Sequence, residues 1–184
     1  MMRETCEAAP AVEAKHGEAA LVARARRGDG PAFEQLHAKY RNRLFTLCLN
    51  MCGQREEARD LLQETLLRAW RGVRRFDGRS EFSTWLYQIA VNVCRDALRK
   101  RRPALAYAPS PPEKDAVAVA HVREALGRLR EPYRLVLVLR YNLALSYVEI
   151  ADYLRWTLPQ VKMTLHRAKL AFRDAYTQTE ENEP

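Results

Sequence analysis

Glycine is scarce in this chain, 7 in 184 residues, and cysteine scarcer, with 4. Few glycines beside plentiful leucine, alanine and arginine leave little material for left-handed turns and favour helices. No apolar run reaches the roughly 18 residues that a membrane-spanning helix needs. The opening residues, MMRETCEAAPAVEAKHGEAA, hold no apolar stretch and no small-residue cleavage site. A secretory signal is therefore not expected, and the protein is expected in the cytoplasm. The cysteines, Cys6, Cys48, Cys52 and Cys94, form no C-x-x-C pair and have no histidine to complete a tetrahedral set. Packing is the expected role of Cys48, Cys52 and Cys94, and no metal site is expected. What the chain has in excess is positive charge: 31 Lys and Arg against 23 Asp and Glu, a net charge of +8. That balance points to a polyanionic partner, nucleic acid ahead of an anionic membrane. A hydrophobic content of 47% suffices for a core.

The pattern along the chain is helical almost throughout. Residues 1–17 read as a loose tail. A helix starting at Glu18 is interrupted by RGDGP at 27–31, where Pro31 suits the first turn of the next helix behind Asp29 or Gly30. Phe33, Leu36, Tyr40, Leu44 and Leu47 then share one stripe, which Gly53 ends. A third helix runs from about Gln54 to Arg75, and a fourth follows with Ser80 as its N-cap. After Arg102 comes PALAYAPSPPEKD, with four prolines, an extended linker placed at 103–118. Helical patterning returns over 119–176 and gives way to an acidic tail, 177–184. RLVLVLRY at 134–141 alternates like a strand, but the sequence offers it no pairing partner, so it is expected to be helix. The expected fold is all-α: two small helical domains, 18–102 and 119–176, unrelated by any repeat.

Three stretches carry chemistry. In EEARDLLQETLLRAWRGVRRF, Asp60, Gln63, Glu64 and Leu67 lie at i, i+3, i+4, i+7 and share a face. It reads as a solvated face, as a docking surface for a basic groove, or as part of a metal-dependent hydrolase using Glu57, Asp60 and Glu64. The last lacks further ligands and a glycine-rich phosphate loop. In FDGRSEFSTWLYQIAVNVCRDALRKRR (76–102), Phe76, Phe82 and Trp85 offer apolar surface that would serve a core or a DNA base. Asn92 lies off the apolar side of its helix, and Arg95, Arg99 and Lys100 follow. In LSYVEIADYLRWTLPQVKMTLHRAKLAF (145–172), Ser146 with Glu149 and Thr157 with Gln160 form two capping boxes, so helices start at about Tyr147 and Leu158. This is the layout of a DNA-reading helix-turn-helix, or of a plain helical hairpin with a charged face. Val161, Leu165, Ala168 and Phe172 point inward. Gln160, Met163, His166 and Arg167 point outward toward base edges, with Lys162 and Lys169 on the flanks for phosphates.

These blocks resemble a known family. DLLQETLLRAWRGVRRFDGRSEFSTWLYQIAVNVCRDALRKRR is similar to region 2, and LREPYRLVLVLRYNLALSYVEIADYLRWTLPQVKMTLHRAK to region 4, of the extracytoplasmic-function group of bacterial sigma factors. The resemblance spans about residues 20–102 and 119–176. It implies a transcription initiation factor that is not an enzyme and needs no cofactor. Asp60, Gln63, Glu64 and Leu67 would dock on the clamp helices of the largest subunit of core RNA polymerase. The turn from Phe76 to Phe82, with Ser80, would hold a base flipped from the non-template strand of promoter DNA. Trp85, Asn92, Arg95, Arg99 and Lys100 would complete that site. Gln160, Lys162, Met163, His166, Arg167 and Lys169 would read the minus-35 element. An anti-sigma protein is the expected regulator, with no membrane contact by the chain itself. The sequence departs from the family at Arg155-Trp156, where Leu-Gly is common, and at Met163 and Thr164, where a small polar residue and an arginine are common. The alternative is a stand-alone helix-turn-helix regulator, which would leave the Asp60 face unexplained. Opening DNA costs about 1.4 kcal/mol per stacked step. Base–aromatic stacking returns roughly 1–3 kcal/mol per base, so ring surface beside cations is the expected equipment for holding an open strand.

Overall fold

The structure, a computed structural model, describes residues 9–100 and 116–181. Most of the expected linker, Arg101, Arg102 and Cys6 lie outside the described residues. Helix α1 (Ala9–Arg26) begins well before Glu18, so the expected loose tail of 1–17 is helical from Ala9 on. The RGDGP break is a capped restart. Asp29 accepts a hydrogen bond from the Ala32 backbone N–H at 3.0 Å, and Pro31 sits in the first turn of α2 (Gly30–Ala38). The apolar stripe from Phe33 to Leu47 does not form one helix. The chain turns at Lys39–Tyr40, where the Tyr40 N–H bonds back to the His37 carbonyl, and α3 (Arg41–Cys52) starts afresh. Tyr40 is held there from a distance, its hydroxyl donating to Glu18 of α1 at 2.6 Å. Gly53 ends α3 as expected, in the left-handed conformation (φ 82) that glycine adopts without strain.

Helix α4 (Arg55–Gly72) runs into a short 3-10 turn, Val73–Arg75, and α5 (Phe82–Lys100) follows. Helices α3, α4 and α5 pack on one another. Leu44, Leu47, Met51, Leu86 and Val91 are fully buried between them, each contributing on the order of 1.5–3 kcal/mol by leaving water. Cys48, Cys52 and Cys94 are buried in the same layer, with no disulfide among them.

The second half gathers α6 (Ala116–Arg128), α7 (Glu131–Leu137) and α8 (Tyr147–Leu154) around the long α9 (Leu158–Glu181). RLVLVLRY is helical, as expected. Leu135 to Leu139 are all buried, and a helix covered on every side needs no polar face, which removes the helical period from the sequence. Its end widens into a π-helical turn, Val138–Asn142, closed by the Leu143 N–H on the Val138 carbonyl. The expected acidic tail is helical through Glu181, and within it Thr179 is buried and donates its hydroxyl to the Ala175 carbonyl.

The two halves do not stand apart. Helix α3 packs on α6 and on the π-helical turn, and one apolar cluster runs from α2 to α9.

Candidate nucleic-acid interface and docking face

On α4, Asp60, Gln63 and Leu67 are exposed, Leu67 by 44%. Glu64 shares their face, but its carboxylate accepts from Arg68 at 2.6 Å, and Arg68 reaches on to Asp96 of α5 at 3.3 Å. Asp96 is also bonded by Arg99. Arg99 first, then Arg68, holds the Asp96 carboxyl below its usual range. Beside this face a groove of about 500 Å³ is lined by Phe33, Leu62, Leu66, Leu67 and Trp70 together with Gln63, Arg41 and Arg59. Among the described residues no three acidic, histidine or cysteine side chains converge as metal ligands.

Of the two uses left open for the aromatic turn, a core or a DNA base, the packing shows the first. Phe76 and Phe82 are 6% and 3% exposed. Phe76 stands edge-on to Phe82 at 5.8 Å and tilts on Trp85 at 5.2 Å, and Tyr40 packs on Phe82 at 6.1 Å. These two phenylalanines are therefore not free stacking platforms. They are core residues, because the rings satisfy one another and the helices close over them. Their edges form the floor of a groove of about 440 Å³, bounded also by Tyr40, Gly78 and Glu81 and, from α1, by Glu18, Val22 and Arg26. The part played by α1 carries no local signal in the sequence, since it depends on the Glu18–Tyr40 bond across 22 residues. Trp85 is half-buried against Gly72, where a β-carbon would come within 3.2 Å of the indole.

Ser80 is exposed and does not cap α5. The carbonyl of Glu81 accepts the Trp85 N–H, so the helix starts one residue later than expected. The preceding turn is made by Asp77, which accepts from the Arg79 N–H at 3.1 Å, and by Gly78 at φ 77. Along α5, Asn92 and Lys100 are exposed. Arg95 is engaged by Glu131 at 3.0 Å and Arg99 by Asp96, so two of the expected strand-gripping cations carry carboxylate partners. Asn92, Arg95 and Arg99 lie at i, i+3, i+7 and share one side of the helix.

The helix-turn-helix is built as read. Ser146 and Glu149 bond reciprocally, the Glu149 carboxylate accepting from the Ser146 N–H at 2.7 Å. Those bonds keep the Glu149 carboxyl below its ordinary value. Between the helices Arg155 takes the left-handed conformation (φ 54), and the Trp156 N–H closes on the Ala151 carbonyl at 2.9 Å. Val161, Leu165 and Ala168 are buried, and Gln160, Lys162, Met163, His166, Arg167 and Lys169 are exposed. Gln160 has a second duty: its amide oxygen accepts from the Thr157 N–H at 2.7 Å, leaving the amide NH2 for an outside partner. Lys169 stands over the Tyr141 ring, more than two turns from the tip of α9. A hydrogen bond to Tyr141 raises its pKa.

Comparison with known proteins agrees with this architecture. Residues 36–104 match the family described as Sigma-70 region 2, and residues 121–172 that described as Sigma-70, region 4. The chain is 31% identical to the ECF RNA polymerase sigma factor SigW of Bacillus subtilis, over 83% of this chain and 92% of that protein. It is 33% identical to the RNA polymerase sigma-H factor of Pseudomonas aeruginosa, over 84% of this chain and 91% of that protein. The solved structure of CnrH in complex with the cytosolic domain of CnrY superposes with a TM-score of 0.69 at 26% identity, covering 91% of this chain and 99% of that one. With both regions in order on an all-helical frame, the chain belongs to the extracytoplasmic-function group of RNA polymerase sigma factors.

Proposed function

We propose that the first half of this sigma factor docks on core RNA polymerase and holds the opened non-template strand, while α9 reads duplex DNA upstream. The working units are taken as residues 18–102 and 119–176. The observation that carries the reading is the α4 face: an exposed Asp60, Gln63 and Leu67 beside an apolar groove, on a chain of net charge +8. An exposed leucine beside an apolar groove suits a protein partner, with Asp60 offering a contact to a basic side chain and Arg41 and Arg59 of the groove one to an acidic side chain. Core polymerase, through the clamp helices of its largest subunit, is the partner assigned.

The groove under the Phe76–Phe82 turn has apolar ring edges as its floor and Glu18, Arg26 and Glu81 at its rim. A flipped base needs that combination, an apolar slot with hydrogen-bonding groups at its edge. Further along α5, outside the groove's lining, Asn92 offers a paired donor and acceptor, and Arg95, Arg99 and Lys100 supply phosphate contacts. In α9, Gln160, Met163, His166 and Arg167 face outward toward base edges, with Lys162 and Lys169 on the flanks for phosphates. Met163 suits a thymine methyl rather than a bidentate hydrogen bond. The chain does this by binding alone, without chemistry of its own. An anti-sigma protein is assigned as its regulator, since CnrH, its structural relative, is seen with the cytosolic domain of CnrY.

Asp60→Arg tests the docking face. It places a cation where a basic partner must land, and Asp60 is exposed, so the fold is expected to survive. Capture by immobilised core polymerase should be lost while the helical circular dichroism is unchanged. Undiminished capture would remove the α4 face from the mechanism.

A further inference from the structure

Where α3, α6, the π-helical turn and α9 meet, they frame a cavity of about 420 Å³. Its walls are apolar: Leu126 of α6, Leu137 and Val138 where α7 widens into the π-helical turn, and the Phe172 ring of α9. Arg134 fixes the frame. Its guanidinium donates to the carbonyls of Leu126, Gly127 and Leu129 at 2.8, 2.7 and 3.0 Å, and to that of Met51 at 2.6 Å. The first three close the end of α6, and the fourth belongs to the last turn of α3. Helix ends expose carbonyls that no backbone N–H can reach, and a cation suits their partial negative charge. The walls given by α3 and α6 are thus set by the fold itself.

Two polar groups interrupt the apolar lining. Asn142 lies on the π-helical turn, and its Oδ1 is buried without a hydrogen-bond partner among the described residues. Native folds leave few such atoms, because an unmade buried acceptor carries its full desolvation cost. Lys169 is exposed, with its Nζ 5.8 Å from the centre of the Tyr141 ring, and its hydrogen bond goes to the neutral Tyr141 rather than to a carboxylate. The rim is apolar as well, with Val122 38% and Tyr141 63% exposed. An apolar cavity of this size with a few polar groups is the build of a small-molecule site.

We propose that this cavity binds a small, free amphipathic hydroxy acid, its hydrocarbon body against the apolar walls, its hydroxyl donating to Asn142 Oδ1 and its carboxylate on Lys169 Nζ. The hydroxyl follows from Oδ1, which can only accept. A carboxylate suits a single ammonium, whereas a phosphate would bring a second charge and three acceptor oxygens with one cation to meet them. Lys169 is also one of the cations assigned above to DNA phosphates. A seated acid takes it from the DNA and so couples a soluble ligand to promoter reading, a consequence that alone rests on the function proposed above.

The test is calorimetric titration of the full chain with three ligands: β-hydroxydecanoate, decanoate, which lacks the donor, and β-hydroxydecanamide, which lacks the anion. The hydroxy acid should bind saturably, about fivefold more tightly than decanoate and about tenfold more tightly than the amide, the scales of a neutral and a charge-assisted hydrogen bond. Asn142→Leu should erase the difference between the two acids, and Lys169→Gln that between acid and amide. Val122→Trp, at a partly exposed position of α6, fills the rim and should abolish binding of all three with the helical circular dichroism unchanged. Should Asn142→Leu fail to fold, the exposed Lys169 and Val122 positions decide. No saturable heat with β-hydroxydecanoate up to about a millimolar, equal binding of all three ligands, or undiminished binding by Val122→Trp overturns the site. Anisotropy of a mixed-sequence DNA duplex, measured with the site saturated, reads the consequence separately: binding should weaken and depend less steeply on salt. Binding of the acid without that change keeps the site and removes Lys169 from the phosphate contacts.

Discussion

His37 stands one turn beyond Phe33 on α2, its ring edge-on to that phenylalanine at 5.3 Å, with Nδ1 buried and without a hydrogen-bond partner among the described residues. Burial first, then the charge of Arg41, pushes its pKa below the ordinary 6.5. The folded chain thus holds the proton less well than the unfolded one. Stability from this source is complete above pH 6.5 and declines as pH falls from there through the lower folded value. The depressed carboxyls of Asp29, Asp96 and Glu149 act in the same sense but only at more acidic pH, since their ordinary values are 3.8 to 4.5. Urea midpoints should therefore drop between about pH 7 and about pH 5, and His37→Gln should flatten that limb. An unchanged profile in the variant would place the dependence elsewhere. Two other residues, Ala144 and Arg155, sit at positive φ (55 and 54) where glycine would be unstrained. Arg155 makes the interhelical turn of the helix-turn-helix in this conformation without a glycine.

At the scale of elements, the helix starts are local decisions. Ser146→Ala removes the acceptor for the Glu149 N–H and half of the capping box. The expected cost is about 1 kcal/mol, seen as a fall in Tm of roughly 2–4 °C for a chain of this size. A Tm equal to that of the natural chain would mean that packing on α9 alone starts α8. Such devices were legible in the sequence because donor and acceptor lie within one turn: Asp29 before Pro31, Gly53 after α3, Ser146 with Glu149, Thr157 with Gln160. Burial of Val161, Leu165 and Ala168 followed from spacing alone. What could not be read locally shares a cause. The break at Tyr40 depends on Glu18, and the choice between core and DNA base at Phe76 and Phe82, left open in the sequence, on rings contributed by Tyr40 and Trp85. An aromatic side chain reads the same in sequence whether it meets water or another ring, so the groove under the 76–82 turn could be placed but not its walls.

For the whole molecule, the decisive fact is that the halves share a core. The linker sequence suggests two bodies on a strap, yet Arg134 reaches 83 residues back to Met51, and Tyr153 66 residues back to Tyr87. Two bodies with separate cores would melt separately, whereas one continuous cluster melts as a unit. Tryptophans report on each half: Trp70 lies on α4 and Trp156 in the turn between α8 and α9. Variants retaining only Trp70 or only Trp156 should show coincident denaturation midpoints in the free chain. Two well-separated midpoints would mean that the contact between halves is too weak to couple them.

Arg134 gives this joint an asymmetry. The same guanidinium that crosses to α3 also finishes α6, so its two duties cannot be varied independently. Replacing it would fray the helix whose docking it secures. A looser or stiffer joint is more readily reached around this fixed pin, through contacts such as Glu131 to Arg95 and Tyr153 to Tyr87.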